Sequence, residues 1–261
     1  MTPEEIETEA EALMARMAPR RRVRPRLAEP LRETEPVEVE TPVGTVMAWR
    51  LGRGPAVLLV HGWEDDNCLW APLIDTLWNE RGRSVAVLDL PGHGFSPAGE
   101  AGIVGCGQAV RAVAGALGPI DAVVTHSFGG PVSISAMSEG LAADRAVLIA
   151  PPIPSLEGFT RRMQDHEVPE AVIARVLELQ AKMMGLVAQS WSLEDSVPRM
   201  TARALLVHAL DDEQCPAENS RTIADLWPGG MAKVLYTDNL GHRLVAQDAA
   251  ILSQVADFLD D

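Results

Sequence analysis

Ser127 stands in the stretch VVTHSFGG, residues 123–130, between an apolar run that ends at Thr125 and the pair Gly129 and Gly130. A hydroxyl at such a junction can be a nucleophile on a tight strand-to-helix turn, or it can cap a helix that starts there. As a nucleophile it needs a base to take its proton, and the base needs an acid to orient it. Histidines at 61, 93, 126, 166, 208 and 242 are the candidate bases. Chemistry of this kind is acyl transfer from an ester or a related carbonyl compound. The local spelling around Ser127 leaves nucleophile and cap both open.

The elements that must position these residues alternate in type. VEVETPVGTVMAWRL, from Val37, alternates in polarity on either side of a Val43-Gly44 turn and predicts an antiparallel hairpin. Continuous apolar runs follow: AVLLVHG after GRGP, SVAVLDL at 84–90, IDAVVTHS at 120–127, RAVLIAPP at 145–152 and ARALLVHAL at 202–210, with AKVLYTDNL from 232. Runs of that kind suit strands covered on both faces. Between them lie LWAPLIDTLWNERG, GCGQAVRAVAGALG, FGGPVSISAMSEGLA, AENSRTIADLW and DAAILSQVADFL, all helix-compatible. The alternation predicts an α/β fold: a mostly parallel, eight-stranded twisted sheet with helices on both faces. It breaks once, at 152–200, where Val172, Val176, Leu179, Met183 and Leu186 share one helical face. An insertion at the carboxyl edge of the sheet is where a helical cap over a pocket belongs. The predicted organisation is an N-terminal helix and loose linker at 1–36, a core at 37–151 and 201–261, and a cap at 152–200.

THSFG resembles the nucleophile elbow G-x-S-x-G of the α/β-hydrolase family, with Thr125 in place of the first glycine. Small residues beside the nucleophile let strand and helix meet in a turn that projects Oγ, and the helix amino end favours developing negative charge. HGW at 61–63 follows the first buried parallel strand, where the family places half of its oxyanion hole, and DLPGHGFS at 89–96 is similar to the loop after the next strand. The resemblance covers roughly residues 37–261. It implies Ser127 as nucleophile, His242 in NLGHRL as base, and the amides of Trp63 and Phe128 as oxyanion donors. HALDDEQCP resembles the family's H-G-x-x-D-x-x-x-P pattern with Ala209 for glycine; counting along it selects Asp212 as acid, with Asp211 as the fallback. Serine at the elbow sets the chain apart from similar dehalogenases and epoxide hydrolases, which carry aspartate there.

The implied activity is hydrolysis of small to medium apolar carboxylic esters through an acyl-enzyme. Carbon–carbon bond hydrolysis or lactone opening by the same triad is the alternative, and a non-catalytic binding module on the same fold is a remoter one. The expected lining of the pocket is His61, Trp70, Phe159, Met163, Met183, Met184 and Leu210, which suits an acyl chain or an aromatic ester. The cap is short, which predicts that the N-terminal helix folds back to help cover the site.

Composition narrows the partners. The 261 residues carry a net charge of −15, so the long-range field repels nucleic acid and anionic lipid. No apolar run is long enough to span a membrane, and the acidic start of the chain does not read as a secretory signal, which predicts a cytoplasmic location. Cys68, Cys106 and Cys215 are odd in number and far apart, so reduced thiols are expected, with no metal site and no cofactor. GCGQAV lacks the third glycine of a dinucleotide fingerprint, and Glu64-Asp65-Asp66 reads as a solvated acidic loop at a helix start. The pattern specifies no oligomeric state.

Overall fold

The computed structural model describes residues 1–17, 25–97, 99, 102–154, 156–183 and 191–261. One sheet contains β1 (Val37–Thr41), β2 (Gly44–Leu51), β3 (Ala56–Val60), β4 (Ser84–Leu88), β5 (Ile120–His126), β6 (Arg145–Ile149), β7 (Arg203–Ala209) and β8 (Ala232–Thr237). Their order is β1-β2-β4-β3-β5-β6-β7-β8. The β1/β2 hairpin joins β4 antiparallel, and every pairing from β4 to β8 is parallel, as the strand and helix alternation predicts. The hairpin turn lies one residue earlier than expected: Thr41 pairs with Gly44, so Pro42 and Val43 form the turn. Proline's fixed φ suits the first turn position.

The helices are α1 (Pro3–Met17), α2 (Ala71–Asp75), α3 (Ile103–Leu117), α4 (Gly129–Ser138), α5 (Leu156–Asp165), α6 (Glu170–Met183), α7 (Leu193–Ser196), α8 (Glu218–Leu226), α9 (Gly241–Leu244) and α10 (Ala249–Asp260). Alternate residues of β3 explain the continuous apolar spelling. Val57 and Leu59 pack with Leu73 and Ile74 of α2 and with Leu252 and Val255 of α10. Leu58 and Val60 face the opposite side, against Val110 and Val113 of α3 and Val132 of α4. Successive strand side chains point to opposite faces, so a strand roofed on both sides needs apolar residues at every position. The single helix expected near residues 69–82 is instead a 3-10 turn, the short α2 and a π turn over Thr76–Glu80. Pro72 sits at the start of α2, where its missing N–H costs no helical hydrogen bond.

The described parts of the N-terminal region, residues 1–17 and 25–36, pack against the rest of the fold, and residues 18–24 of the expected linker lie outside the described residues. Ala10 of α1 is buried with Met163 of α5 and with Val172, Ile173 and Val176 of α6, and Ile6, Leu13 and Met14 pack around them. Glu7 adds an ion pair with Arg175. Further along, Ala28 and Leu31 are buried in the main core. The Asn67 side chain accepts a hydrogen bond from the Ala28 amide at 2.8 Å and donates to the Arg26 carbonyl at 3.3 Å. A carboxamide offers a donor and an acceptor at once, which is what an incoming extended backbone requires.

Candidate active site

Three strand ends build the site. β5 runs into Ser127, whose φ of +49° lies in the left-handed region that a non-glycine residue adopts only at a cost. The Ser127 amide is held by the Ile149 carbonyl at 2.9 Å, and α4 begins two residues later. The turn depends on close backbone approach. A Cβ on Gly129 would stand 2.4 Å from the Val60 carbonyl oxygen, and one on Gly62 would stand 2.9 Å from the Ser127 Cβ. Thr125, the departure from the usual spelling, is accommodated: its buried hydroxyl donates to the Val147 carbonyl of β6 at 3.2 Å.

β7 and the segment after β8 bring the partners. The Asp212 Oδ2 accepts from His242 Nδ1 at 2.7 Å, across 30 residues of chain. A carboxylate only accepts, so the Nδ1 carries the proton and the Nε2 is free to accept from the Ser127 hydroxyl at 2.9 Å, 115 residues away. Burial works against charge on Asp212, but the Cys215 amide, the His242 ring and the Gln214 amide outweigh it and hold the carboxyl below its ordinary range. Asp211 does a different job, since its Oδ1 accepts from the Leu240 and Gly241 amides at 3.2 Å each and so fixes the start of α9.

The Trp63 and Phe128 rings meet edge to face at 5.3 Å, which brings the loop after β3 against the elbow. Neither amide N–H donates a hydrogen bond among the described residues. Two such donors beside a serine suit a developing oxyanion.

Several expected pocket residues are not in a pocket wall. Trp70 is fully buried in the main core, because the 3-10 turn before α2 directs it toward the sheet. Met163 belongs to the cluster between α1, α5 and α6. His61 is buried with both ring nitrogens committed to backbone: Nδ1 donates to the Gly62 carbonyl at 2.8 Å, and Nε2 accepts from the Leu90 amide at 2.9 Å. Leu210 is 59% exposed, a rim position. The side chains of Phe159 and Met183, and Met184 altogether, lie outside the described residues.

Some contributors were not legible in sequence. His208 is buried beside Asp212, with Nε2 3.0 Å from the Cys215 carbonyl and 3.3 Å from Asp212 Oδ2, and Nδ1 2.7 Å from Ser220 Oγ. Asp65 and Asp66 are buried and not solvated. Asp66 accepts from the Cys68 amide at 3.0 Å as a cap, and Asp65 pairs with Arg243 at 2.6 Å. Only a partner far along the chain makes burial of Asp65 tolerable, and no local spelling announces it.

Buried histidines tie stability to pH. Burial lowers the His61 pKa from 6.5 to about 3 and lowers those of His93 and His208, so all three favour the neutral form in the fold. Asp89 opposes them: burial raises its carboxyl to about 7 against the hydrogen bonds from Phe95 and Asn67. Three groups against one leave the unfolded chain binding more protons below about pH 6.5. Their stabilisation is therefore present above 6.5 and lost on acidification, by about 1.4 kcal/mol per pH unit for each net proton. Thermal melts are expected to show Tm falling from pH 7 to pH 5; a constant or rising Tm would contradict this.

The model of the alpha/beta hydrolase family matches residues 57–260. Among solved structures, the esterase Pf2001 of Pyrococcus furiosus aligns over 94% of this chain and 96% of its own, with a TM-score of 0.71 at 20% identity. An esterase of Exiguobacterium antarcticum aligns over 87% of this chain and 100% of its own, with a TM-score of 0.68 at 14% identity. Identities this low speak for the fold alone. A pimeloyl-[acyl-carrier protein] methyl ester esterase of Methylococcus capsulatus is 48% identical over 46 residues, a stretch that spans 18% of this chain and 17% of that relative. The family match begins in the first parallel strand, ends in the last helix and encloses the elbow, the paired aspartates and His242, and the chain belongs to the alpha/beta hydrolase family.

Proposed function

We propose that the protein is a serine hydrolase that cleaves carboxylic esters through an acyl-enzyme. The observation that carries this reading is the continuous hydrogen-bonded line Ser127, His242, Asp212, ending in a serine on a left-handed turn. Ser127 Oγ attacks the ester carbonyl as His242 Nε2 takes its proton, and the imidazolium is stabilised by Asp212. The amides of Trp63 and Phe128 hold the oxyanion. His242 then gives its proton to the leaving alcohol, and a water activated by the same nitrogen releases the acid. A fluorophosphonate probe tests the reading: it is expected to modify Ser127, and an unmodified wild-type chain would refute it.

The rim supports an apolar substrate. Trp63 on the oxyanion loop, and Leu210 and Leu244, each two residues from a triad member, are 36%, 59% and 58% exposed. Residues 152–200 serve as the cap, and α1 extends it through the apolar cluster it shares with α5 and α6. Deleting residues 1–17 is expected to shift the ratio of kcat/KM between long-chain and short-chain nitrophenyl esters by about threefold or more, since a lid contributes to acyl-chain binding. An unaltered ratio would separate α1 from the cap.

A further inference from the structure

The loop that carries His242 follows β8, which the sheet order places at an edge, three strands from β5 and four from β3. At about 4.8 Å per strand, its root is about 14 Å from the root of Ser127 and about 19 Å from that of the Trp63 loop. Yet base, nucleophile and oxyanion amide must share one geometry to within about 0.5 Å. The sheet cannot supply this register, so something must cross from one loop to the other.

Two contacts do so. Arg243, the residue after His242, places Nη2 2.6 Å from the Oδ1 of Asp65, two residues beyond Trp63. The Asp65 side chain is 3% exposed and that of Arg243 is 49% exposed. Beneath them His126, the residue before Ser127, donates from Nε2 to the His242 backbone carbonyl at 2.9 Å. Its Nδ1 faces Asp65 Oδ2 at 3.6 Å, beyond hydrogen-bond range, and its ring is 5.0 Å from that of His242. Residues next to Ser127 and His242 and one two positions beyond Trp63 therefore take part in a single bridge. The Asp211 contacts hold only the start of α9, on the β7 side, and leave the far side of the loop to this bridge.

We propose that Asp65, Arg243 and His126 are positioning residues that clasp the oxyanion loop to the histidine loop across the elbow. The inference rests on the triad reading above. None of the three touches the substrate; each acts by holding Trp63 or His242 in place. A displacement of about 1 Å at a reacting group costs roughly 10²-fold in rate.

The test compares Asp65→Asn, Arg243→Gln, Arg243→Lys and the double variant Asp65→Asn/Arg243→Gln with the wild type. Readouts are steady-state ester hydrolysis, the rate of fluorophosphonate labelling of Ser127, and Tm. Arg243→Gln is expected to lower kcat about 10- to 100-fold with KM within about threefold, because misplacement acts on the transition state more than on ground-state binding. Arg243→Lys should recover much of the loss. The double variant should be no worse than the poorer single variant, since both remove one bridge. It leaves no buried carboxylate without a partner, so a wild-type kcat in the double variant would overturn the clasp. So would single variants within twofold of wild type, or losses confined to KM. Should Asp65→Asn fail to fold, the two half-exposed Arg243 variants carry the test. A wild type that takes up no probe refutes the triad reading and the clasp with it; a labelled wild type with unaffected variants refutes the clasp alone.

Discussion

Ser127→Ala is expected to lower kcat for ester hydrolysis by about 10⁶ and to abolish fluorophosphonate labelling. The size of the effect follows from cooperation within the hydrogen-bonded line: without Oγ, His242 has no proton to accept and no acyl-enzyme can form. What remains is the stabilisation that the Trp63 and Phe128 amides give to direct attack by water. Alanine has the same Cβ and meets the same left-handed φ of +49°, so Tm should move little. The combination of lost turnover with retained folding is the diagnostic result. A variant with more than about a tenth of wild-type kcat would remove Ser127 from the mechanism.

Asp212→Asn is expected to reduce kcat about 10⁴-fold, the cost typical of a triad left in the wrong tautomer. Asp212 accepts three hydrogen bonds, from the Gln214 and Cys215 amides on Oδ1 and from His242 on Oδ2, and His208 Nε2 lies 3.3 Å from that second oxygen. An asparagine can satisfy the first pair only by turning its NH₂ toward two ring N–H groups. His242 would then move its proton to Nε2, which points at Ser127 and could no longer act as base. Asp211→Asn should behave quite differently. Its carbonyl oxygen still accepts from Leu240 and Gly241, so kcat is expected to stay within about threefold. Equal losses in the two variants would show that the difference in their contacts has no catalytic meaning.

Legibility in sequence followed the range of the forces involved. The buried strands announced themselves because β3 to β7 are covered on both faces, and hydrophobic burial leaves a local record. The residues that converge on Ser127 were readable through the resemblance of HALDDEQCP and NLGHRL to the family's motifs, each of which follows a strand that the alternation predicts. Asp65 was not readable, because its burial depends on Arg243, which arrives only after the final strand. Thr125 looked like a misfit only until the Val147 carbonyl came alongside from β6. Trp70 and Met163 are apolar in any reading, and composition cannot say which wall an apolar side chain will face. Met163 turned toward a helix more than a hundred residues earlier in the chain.

The strand order also sets a schedule. Ribosomes add about 5 to 20 residues per second, so the 115 residues between Ser127 and His242 occupy on the order of ten seconds of synthesis. Through that interval β3, β4, β5 and β6 can already pair, and the elbow can form with an ordinary, unactivated alcohol at its tip. Asp212 follows with β7, and His242 comes only after β8 has closed the sheet edge. On the proposed mechanism a nascent chain is thus inert toward esters around it until the segment between β8 and α10 has been made.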